Sequence, residues 1–384
     1  MRRVLFWAHL STGVVAGLVV LMMSVTGVIL TYERQMLDAA DASHSVSCEQ
    51  NCSRLSVEAL IEAAGPSAET ERASLLLFSD PTRAAKVSFG RERSLLVDPY
   101  NGAVLREGEA ALDGFFSTVT RLHRWFALED DSRATGRAIT GYSNLLFLFL
   151  LLSGVYLWLP PIWNRIALRT RILFNPKAQT GKARDFNWHH VFSFWAAIPL
   201  LVIITTATVF YFPWSNDLVY AAFGEEPPAR TRTAPAEPLP PGDYPAREAL
   251  LLAAIDAVEA EGITDWQQVS MQYAMTPGSD ASFRFDRSIG GQPGKVVNLT
   301  LSGTSADVAS WQWFSDRTPG QQARFVIRFL HTGEVLGVVG QTLAGLASLA
   351  ACFLVWTGLA LAWRRLIRPL FSRPAVADAA TENA

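Results

Sequence analysis

Four long apolar stretches, separated by segments of mixed polarity, set the fold class of this chain. They occupy residues 4–32, 138–159, 188–212 and 335–363. An α-helix needs about 20 apolar residues to cross the hydrocarbon core of a bilayer, so the pattern predicts four transmembrane helices. Arg2 and Arg3 precede the first stretch, and the small residues around Ala39–Ala42 follow it, as in a signal peptide. The apolar run is too long for that, because a signal core spans only about 7–15 residues.

The intervening segments 33–137 and 213–334 carry shorter periodicities. Val57-Glu58-Ala59-Leu60 opens a short helical pattern, followed by strand-like runs at Ser74–Phe78, Ala84–Phe89 and Ser94–Val97. Arg247-Glu248-Ala249-Leu250 opens a second helix reaching Gly262, followed by Gln267–Ala274, Ser282–Asp286 and Lys295–Leu301. Alternating apolar positions bounded by turn residues mark strands. Each segment therefore reads as a small α+β module, one helix on an antiparallel sheet. Asp98-Pro99-Tyr100-Asn101-Gly102 is a turn signal, and the proline-rich Glu225–Pro245 reads as a linker.

The two halves echo each other. His9-x-x-x-Gly13 and Thr26-Gly27 in the first stretch answer His189-x-x-x-Ser193 and Thr206-Ala207 in the third. Leu122-His123 precedes the second stretch and Leu330-His331 the fourth. Gly136, Gly141 and Gly154 recur with the same spacing as Gly340, Gly345 and Gly358, and Ser153-Gly154 answers Thr357-Gly358. The unit is helix, module, helix, used twice. The expected domains are transmembrane helix 1–32, module 33–137, helix 138–160, loop 161–187, helix 188–212, module 213–334, helix 335–363 and tail 364–384.

Charge orients this arrangement. The loop 161–187 carries Arg165, Arg169, Arg171, Lys177, Lys182 and Arg184 against one acid, Asp185. Arg2 and Arg3 precede the first helix, and Arg364, Arg365 and Arg368 follow the last. Short loops rich in Lys and Arg stay cytoplasmic. Both termini and the loop 161–187 are thus expected in the cytoplasm, and the two modules outside it, in the periplasm of a bacterial inner membrane. A net charge of -2 gives no footprint for nucleic acid. Of three cysteines, Cys48 and Cys52 are either a disulfide or two ordinary thiols, and Cys352 lies in an apolar run.

The candidate chemistry lies with the histidines. Of six, only His44 sits far from the ends of the apolar stretches. A single interfacial histidine commonly meets water, headgroups or a carbonyl. Here the repeat relates His9 to His189 and His123 to His331, one pair toward each face. Ionisable residues beside membrane spans are costly and usually functional. Two facing imidazoles are what bis-histidine ligation of a haem iron requires, so the pairs predict two haems. No Cys-x-x-Cys-His is present, which makes them b-type and non-covalent. His190 competes with His189, since adjacent helix positions point about 100° apart, and spacing favours His189. Arg124 and Arg328, beside the outer pair, are the best candidates to meet haem propionates. A zinc or copper site would want further ligands.

No Gly-x-Gly-x-x-Gly follows a predicted strand, and no Walker motif is present. Electrons would therefore come from quinol, reduced flavin or a separate reductase.

Taken together, His9-x-x-x-Gly13, Thr26-Gly27, Leu96-Val97-Asp98-Pro99-Tyr100-Asn101-Gly102, Leu122-His123-Arg124, Trp188-His189-His190 and Leu330-His331-Thr332-Gly333 resemble the PepSY-associated transmembrane family of bacterial inner-membrane proteins. The resemblance runs over nearly the whole chain and is strongest to iron-regulated, siderophore-reducing members. It implies that the outer modules are PepSY-like, and that the chain carries haem and reduces a ferric siderophore at the periplasmic face. Two other functions fit the same framework. A siderophore-related transporter would need polar residues at mid-membrane, for which Ser24, Asn144 and Thr205 are the candidates. A PepSY-type sensor or peptidase regulator would need no redox group.

Overall fold

The computed structural model describes residues 1–47, 53–65, 73–89, 93–106, 111–229, 242–273, 278–288 and 290–371. The helices are α1 (Arg2–Leu30), α2 (Glu33–Ala42), α3 (Val57–Ala63), α4 (Ala111–Trp125), α5 (Ser132–Trp158), α6 (Arg165–Ile172), α7 (Gly181–Tyr211), α8 (Pro213–Ala221), α9 (Arg247–Ala260), α10 (Pro319–Thr332) and α11 (Gly337–Leu366). The strands are β1 (Ala73–Phe78), β2 (Ala85–Phe89), β3 (Arg93–Val97), β4 (Val104–Arg106), β5 (Gln268–Tyr273), β6 (Ala281–Asp286), β7 (Val296–Leu301) and β8 (Val308–Trp313). The chain divides into two compact units. One comprises Met1–Val28, Arg121–Tyr211 and the chain from Leu343 onward; the other comprises Ile29–Thr120 and Phe212–Thr342.

The first unit is helical. Helices α1, α5, α7 and α11 coincide with the four apolar stretches and are long and apolar enough to cross a membrane. Their outward residues, such as Val15, Leu18, Ile198 and Trp356, are apolar and exposed, as lipid contact requires. Apolar side chains fill the space between α7 and α11, where Ala196, Leu200 and Ile204 cluster with Ala347, Ala350 and Ala351. Asn144 Nδ2 on α5 donates to Ile204 O and Thr208 Oγ1 on α7, both at 3.0 Å. Ser24 and Thr205 donate to the carbonyls of Val20 and Leu201 in their own helices. The mid-helix polar groups are thus hydrogen-bonded within the protein, as a bilayer demands. Two helices start earlier than the apolar pattern suggests. α5 begins at Ser132 and α7 at Gly181, because backbone hydrogen bonding continues into residues too polar for the hydropathy signal.

The second unit holds the strands. Each of the two segments supplies one helix and then four strands, α3 with β1–β4 and α9 with β5–β8. The expectation of a separate sheet for each is corrected here. All eight strands form one antiparallel sheet, in the order β4-β3-β2-β1-β5-β6-β7-β8. The join is the β1–β5 pair, in register from Ala73 opposite Tyr273 to Phe78 opposite Gln268. Pairing these two strands removes two edges that would otherwise present unpaired backbone. Alternate residues of the central strands, including Leu75, Val87, Met271, Phe283 and Leu299, turn inward against Leu60 of α3 and Leu251, Ala254 and Val258 of α9.

The matching Glu-Ala-Leu sequences at the starts of α3 and α9 have a shared purpose. Glu248 Oε2 accepts from Val57 N at 2.8 Å, at the start of α3. Glu58 Oε1 accepts from Arg247 N at 2.5 Å, at the start of α9. Each helix thus supplies a carboxylate to the open N–H groups of the other, where negative charge is favoured. Arg54 bonds Glu248 as well, at 2.5 Å.

Strands β4 and β8 are not visible in the sequence pattern. β4 has three residues, and β8 is largely exposed, so neither shows apolar alternation. Glycines close two tight helix connections. A Cβ on Gly136 would lie 2.1 Å from Trp125 O, and one on Gly340 would lie 2.2 Å from Gly333 O. Cys48 and Cys52 lie outside the described residues, as do residues 230–241 of the proline-rich linker. The linker's start has a fixed role: Glu225 accepts from Gly320 N at 3.0 Å and from the Thr318 hydroxyl, capping α10.

Candidate functional site

The helical unit places three histidines in one repeated arrangement. His9, in the third turn of α1, meets Ser153 Oγ of α5 through Nδ1 at 2.8 Å. His123, in the last turn of α4, meets Thr26 Oγ1 of α1 through Nδ1 at 2.8 Å. His189, on α7, meets Thr357 Oγ1 of α11 through Nδ1 at 2.9 Å. In every case the hydroxyl has a prior commitment within its own helix. Ser153 donates to Phe149 O at 2.6 Å, Thr26 to Met22 O at 2.7 Å and Thr357 to Phe353 O at 2.6 Å. This back-bonding uses the single hydroxyl proton.

The hydroxyl can then only accept from the imidazole. Nδ1 carries the proton, and in the neutral ring Nε2 carries the lone pair. That is the tautomer of a metal-ligating histidine whose other nitrogen is held by a hydrogen bond. A glycine follows each hydroxyl residue and leaves room for the ring. An added Cβ would come within 3.3 Å of His9 Cε1 at Gly154, 3.4 Å of His189 Cε1 at Gly358 and 3.6 Å of His123 Cε1 at Gly27. A helix rises about 1.5 Å per residue, so His9 and Thr26 stand about 25 Å apart along α1.

His190, the neighbour of His189, is placed differently: its Nδ1 donates to Phe186 O of its own helix at 2.8 Å, and its ring lies 4.3 Å from that of Phe186. Of the two adjacent histidines, His189 is the one whose ring bonds a side chain of another transmembrane helix; His190 engages α5 only through its backbone carbonyl, which accepts from Trp158 Nε1 at 3.1 Å. On the same two helices, Phe192 of α7 stacks on Phe353 of α11 at 4.8 Å and Trp188 lies edge-on to Phe353 at 6.0 Å.

Two buried polar residues fix the start of α7, and sequence reasoning missed both. Asp185 bonds Arg364 at 2.5 Å and Arg184 at 2.9 Å, tying α7 to the end of α11. Asn187 donates to Thr170 O and Leu173 O and accepts from Asn175 N, holding the 170–175 segment.

The remaining expected site residues are more dispersed. His331 occupies the last turn of α10, in the other unit. Arg328, on the same helix, lies over the Phe329 ring, and Arg124 lies over the Trp125 ring. His44 is half-buried, its Nδ1 3.2 Å from Ala40 O. Among the described residues, no three His, Cys, Asp or Glu side chains gather as a metal-ion cluster.

His9, His123, His189, His190 and His331 all fall in the region matched by one family model, the PepSY-associated TM region, which covers residues 6–365. The chain belongs to this family. A search of curated proteins finds no match. As a PepSY-associated TM protein with four spanning helices, it is a multi-pass membrane protein in contact with the lipid bilayer. The hydroxyls that hold the histidines were visible in the sequence only as part of the repeat. The usable signal was a Ser/Thr-Gly pair on the helix that meets His9, His123 and His189.

Proposed function

We propose that this PepSY-associated TM protein is a haem b-containing inner-membrane oxidoreductase that passes electrons to a ferric siderophore in the periplasm. The observation that carries this reading is the shared placement of His9, His123 and His189, each with Nδ1 within 2.9 Å of a hydroxyl that itself donates to a carbonyl of its own helix. A haem iron needs that Nε2 lone pair, and the donor set of paired imidazoles without a carboxylate suits it better than a hydrated divalent ion.

In this reading His9 and His189 hold one haem toward the cytoplasm, and His123 and His331 hold a second toward the periplasm. Bound haem supplies a carrier of single electrons. The protein's own work is to fix ring orientation through Ser153, Thr26 and Thr357, and to tune potential by burial and hydrogen bonds. Arg124 and Arg328 are the proposed propionate partners. The electron donor is quinol, reduced flavin or a separate reductase. Each ferric ion takes one electron, and the ferrous ion is held more weakly by an oxygen-rich chelator and released. The resemblance to the siderophore reductase FoxB and its relatives supports the choice of acceptor, and two repeated halves with PepSY-like modules support the pairing of histidines.

The deciding experiment is a pyridine haemochrome assay on protein purified from haem-replete cells. The expected result is b-type haem in proportion to protein. A colourless preparation ends the reading and leaves the siderophore-related transporter or the PepSY-type sensor. Against the transporter stands the use of Ser24, Asn144 and Thr205 in helix hydrogen bonds.

A further inference from the structure

The corner between α5 and α6 presents apolar side chains and positive charge side by side. α5 ends at Trp158, and α6 begins at Arg165. Ile162, Trp163 and Ile166 are 73%, 64% and 77% exposed, so three large apolar side chains face away from the protein around the start of α6. Arg165 and Arg169, about one turn apart on the same helix, are exposed as well. Neither has an acidic partner among the described residues. The helix gains nothing from this arrangement by itself. Like charges four positions apart repel, and a cation in the first turn opposes the helix dipole. Water offers no return for exposed isoleucine and tryptophan clustered in one place.

Two further arginines meet at this corner. Arg2 Nη2 of α1 donates to Leu157 O and Leu159 O, both at 2.7 Å, and Arg171 of α6 donates to Trp158 O. They satisfy open carbonyls at the end of α5 and bring two guanidinium groups to one place. Burial, and then the charge of Arg2, hold Arg171 below its ordinary pKa. The far end of α6 is fixed to α7. Asn187 donates to Thr170 O and Leu173 O, and Trp195 Nε1 donates to Ile172 O at 2.9 Å. α6 is therefore a short, anchored helix whose open face is both apolar and cationic, set at the end of a spanning helix.

We propose that α6 lies in the interface of the leaflet at this end of α5 and holds an anionic phospholipid, with the phosphate on Arg165 and Arg169 and the upper acyl chains against Ile162, Trp163 and Ile166. The site is independent of the haem reading. Guanidinium groups offer paired N–H donors to a phosphate, and tryptophan favours the headgroup level. Amphipathic helices with this composition lie in the interface with their apolar face in the acyl boundary. The occupant is lipid and not a second copy of the chain. The face continues the exposed apolar surface of α5 at Leu152, Val155 and Leu159, and two copies of it would bring like charges together.

The test uses the full-length protein with Trp163 replaced by photoreactive benzoylphenylalanine, which keeps an aromatic side chain there. It is placed in nanodiscs that hold equal amounts of phosphatidylglycerol and phosphatidylcholine with identical acyl chains. After irradiation, mass spectrometry of the peptide containing position 163 counts the adducts of each lipid. Phosphatidylglycerol adducts should outnumber phosphatidylcholine adducts by at least about fivefold, the effect of one arginine near an anionic surface. Arg165→Glu combined with Arg169→Glu should bring the two lipids to parity. Excess inorganic phosphate at constant ionic strength should leave the parent's preference unchanged, because it has no acyl chain to offer the apolar residues. Equal adducts in the parent would overturn the proposal, as would crosslinks to a second copy of the chain in place of lipid. Displacement by inorganic phosphate would also overturn it, in favour of a free-anion site. So would a charge-reversed variant, of unchanged circular dichroism and elution, that keeps the preference.

Discussion

His189 of α7 donates its Nδ1 proton to Thr357 of α11 across 2.9 Å, while Thr357 donates its own proton to Phe353 O at 2.6 Å. One hydroxyl, by using its proton in its own helix, determines which nitrogen of another helix's histidine keeps a lone pair. His9 with Ser153 and His123 with Thr26 repeat the relationship.

Thr357→Val preserves shape but removes the acceptor. The Nδ1–H of His189 would be left without its hydroxyl partner, and the ring would lose its fixed orientation. Loss of such an outer hydrogen bond commonly costs about 10–100-fold in metal affinity. On the proposed haem reading, haem occupancy per chain should fall, and the midpoint potential of the haem that remains should shift. Thr357→Ser should restore both. Titration of purified variants by absorbance measures this; occupancy and potential equal to the parent would separate the hydroxyl from the ligand role.

The two faces of the membrane should respond differently to loss of a histidine. His331→Ala removes a ligand proposed for the periplasmic side, so protein reduced by dithionite and freed of excess should no longer transfer electrons to a ferric siderophore. His9→Ala should keep that transfer after chemical reduction, but lose reduction from the cytoplasmic side. Stopped-flow reoxidation by a ferric chelate reads both. Two variants that reoxidise as fast as the parent would remove these histidines from the electron path.

Orientation is tested by single cysteines. The loop 161–187 is rich in Arg and Lys, which favours the cytoplasm. A cysteine at Asn175 should resist a membrane-impermeant maleimide in intact spheroplasts, and one at Ser279 should react. Labelling at position 175 would invert the topology.

Glu58 and Glu248 bond the first N–H groups of each other's helix. Replacing a capping side chain by alanine costs typically about 1 kcal/mol. Glu248→Ala also strands Arg54, its partner at 2.5 Å, so about 1–2 kcal/mol is expected. A thermal unfolding scan in detergent should show a lower midpoint for Glu248→Ala than for Glu58→Ala, with haem content unaffected. Midpoints matching the parent would mean that these caps add no stability.

Hydropathy alone located the four spanning helices, because a bilayer allows only long apolar helices and a sequence displays that directly. Periodicity likewise found α3, α9 and six of the eight strands, whose buried faces alternate with half-buried ones. The histidines were also legible, since ionisable residues stand out beside apolar runs. Other features depended on three dimensions. The pairing of β1 with β5 joins residues nearly two hundred positions apart, and no local pattern encodes it. β4 and β8 escaped because short or exposed strands bury no regular face. Asp185 and Asn187 looked like ordinary polar loop residues until packing buried them. Above all, the sequence could present Ser153, Thr26 and Thr357 only as small residues beside glycines. Whether such a hydroxyl gives or receives a proton depends on which carbonyl of its own helix and which ring of a neighbouring helix lie within 3 Å, and that is a property of tertiary structure alone.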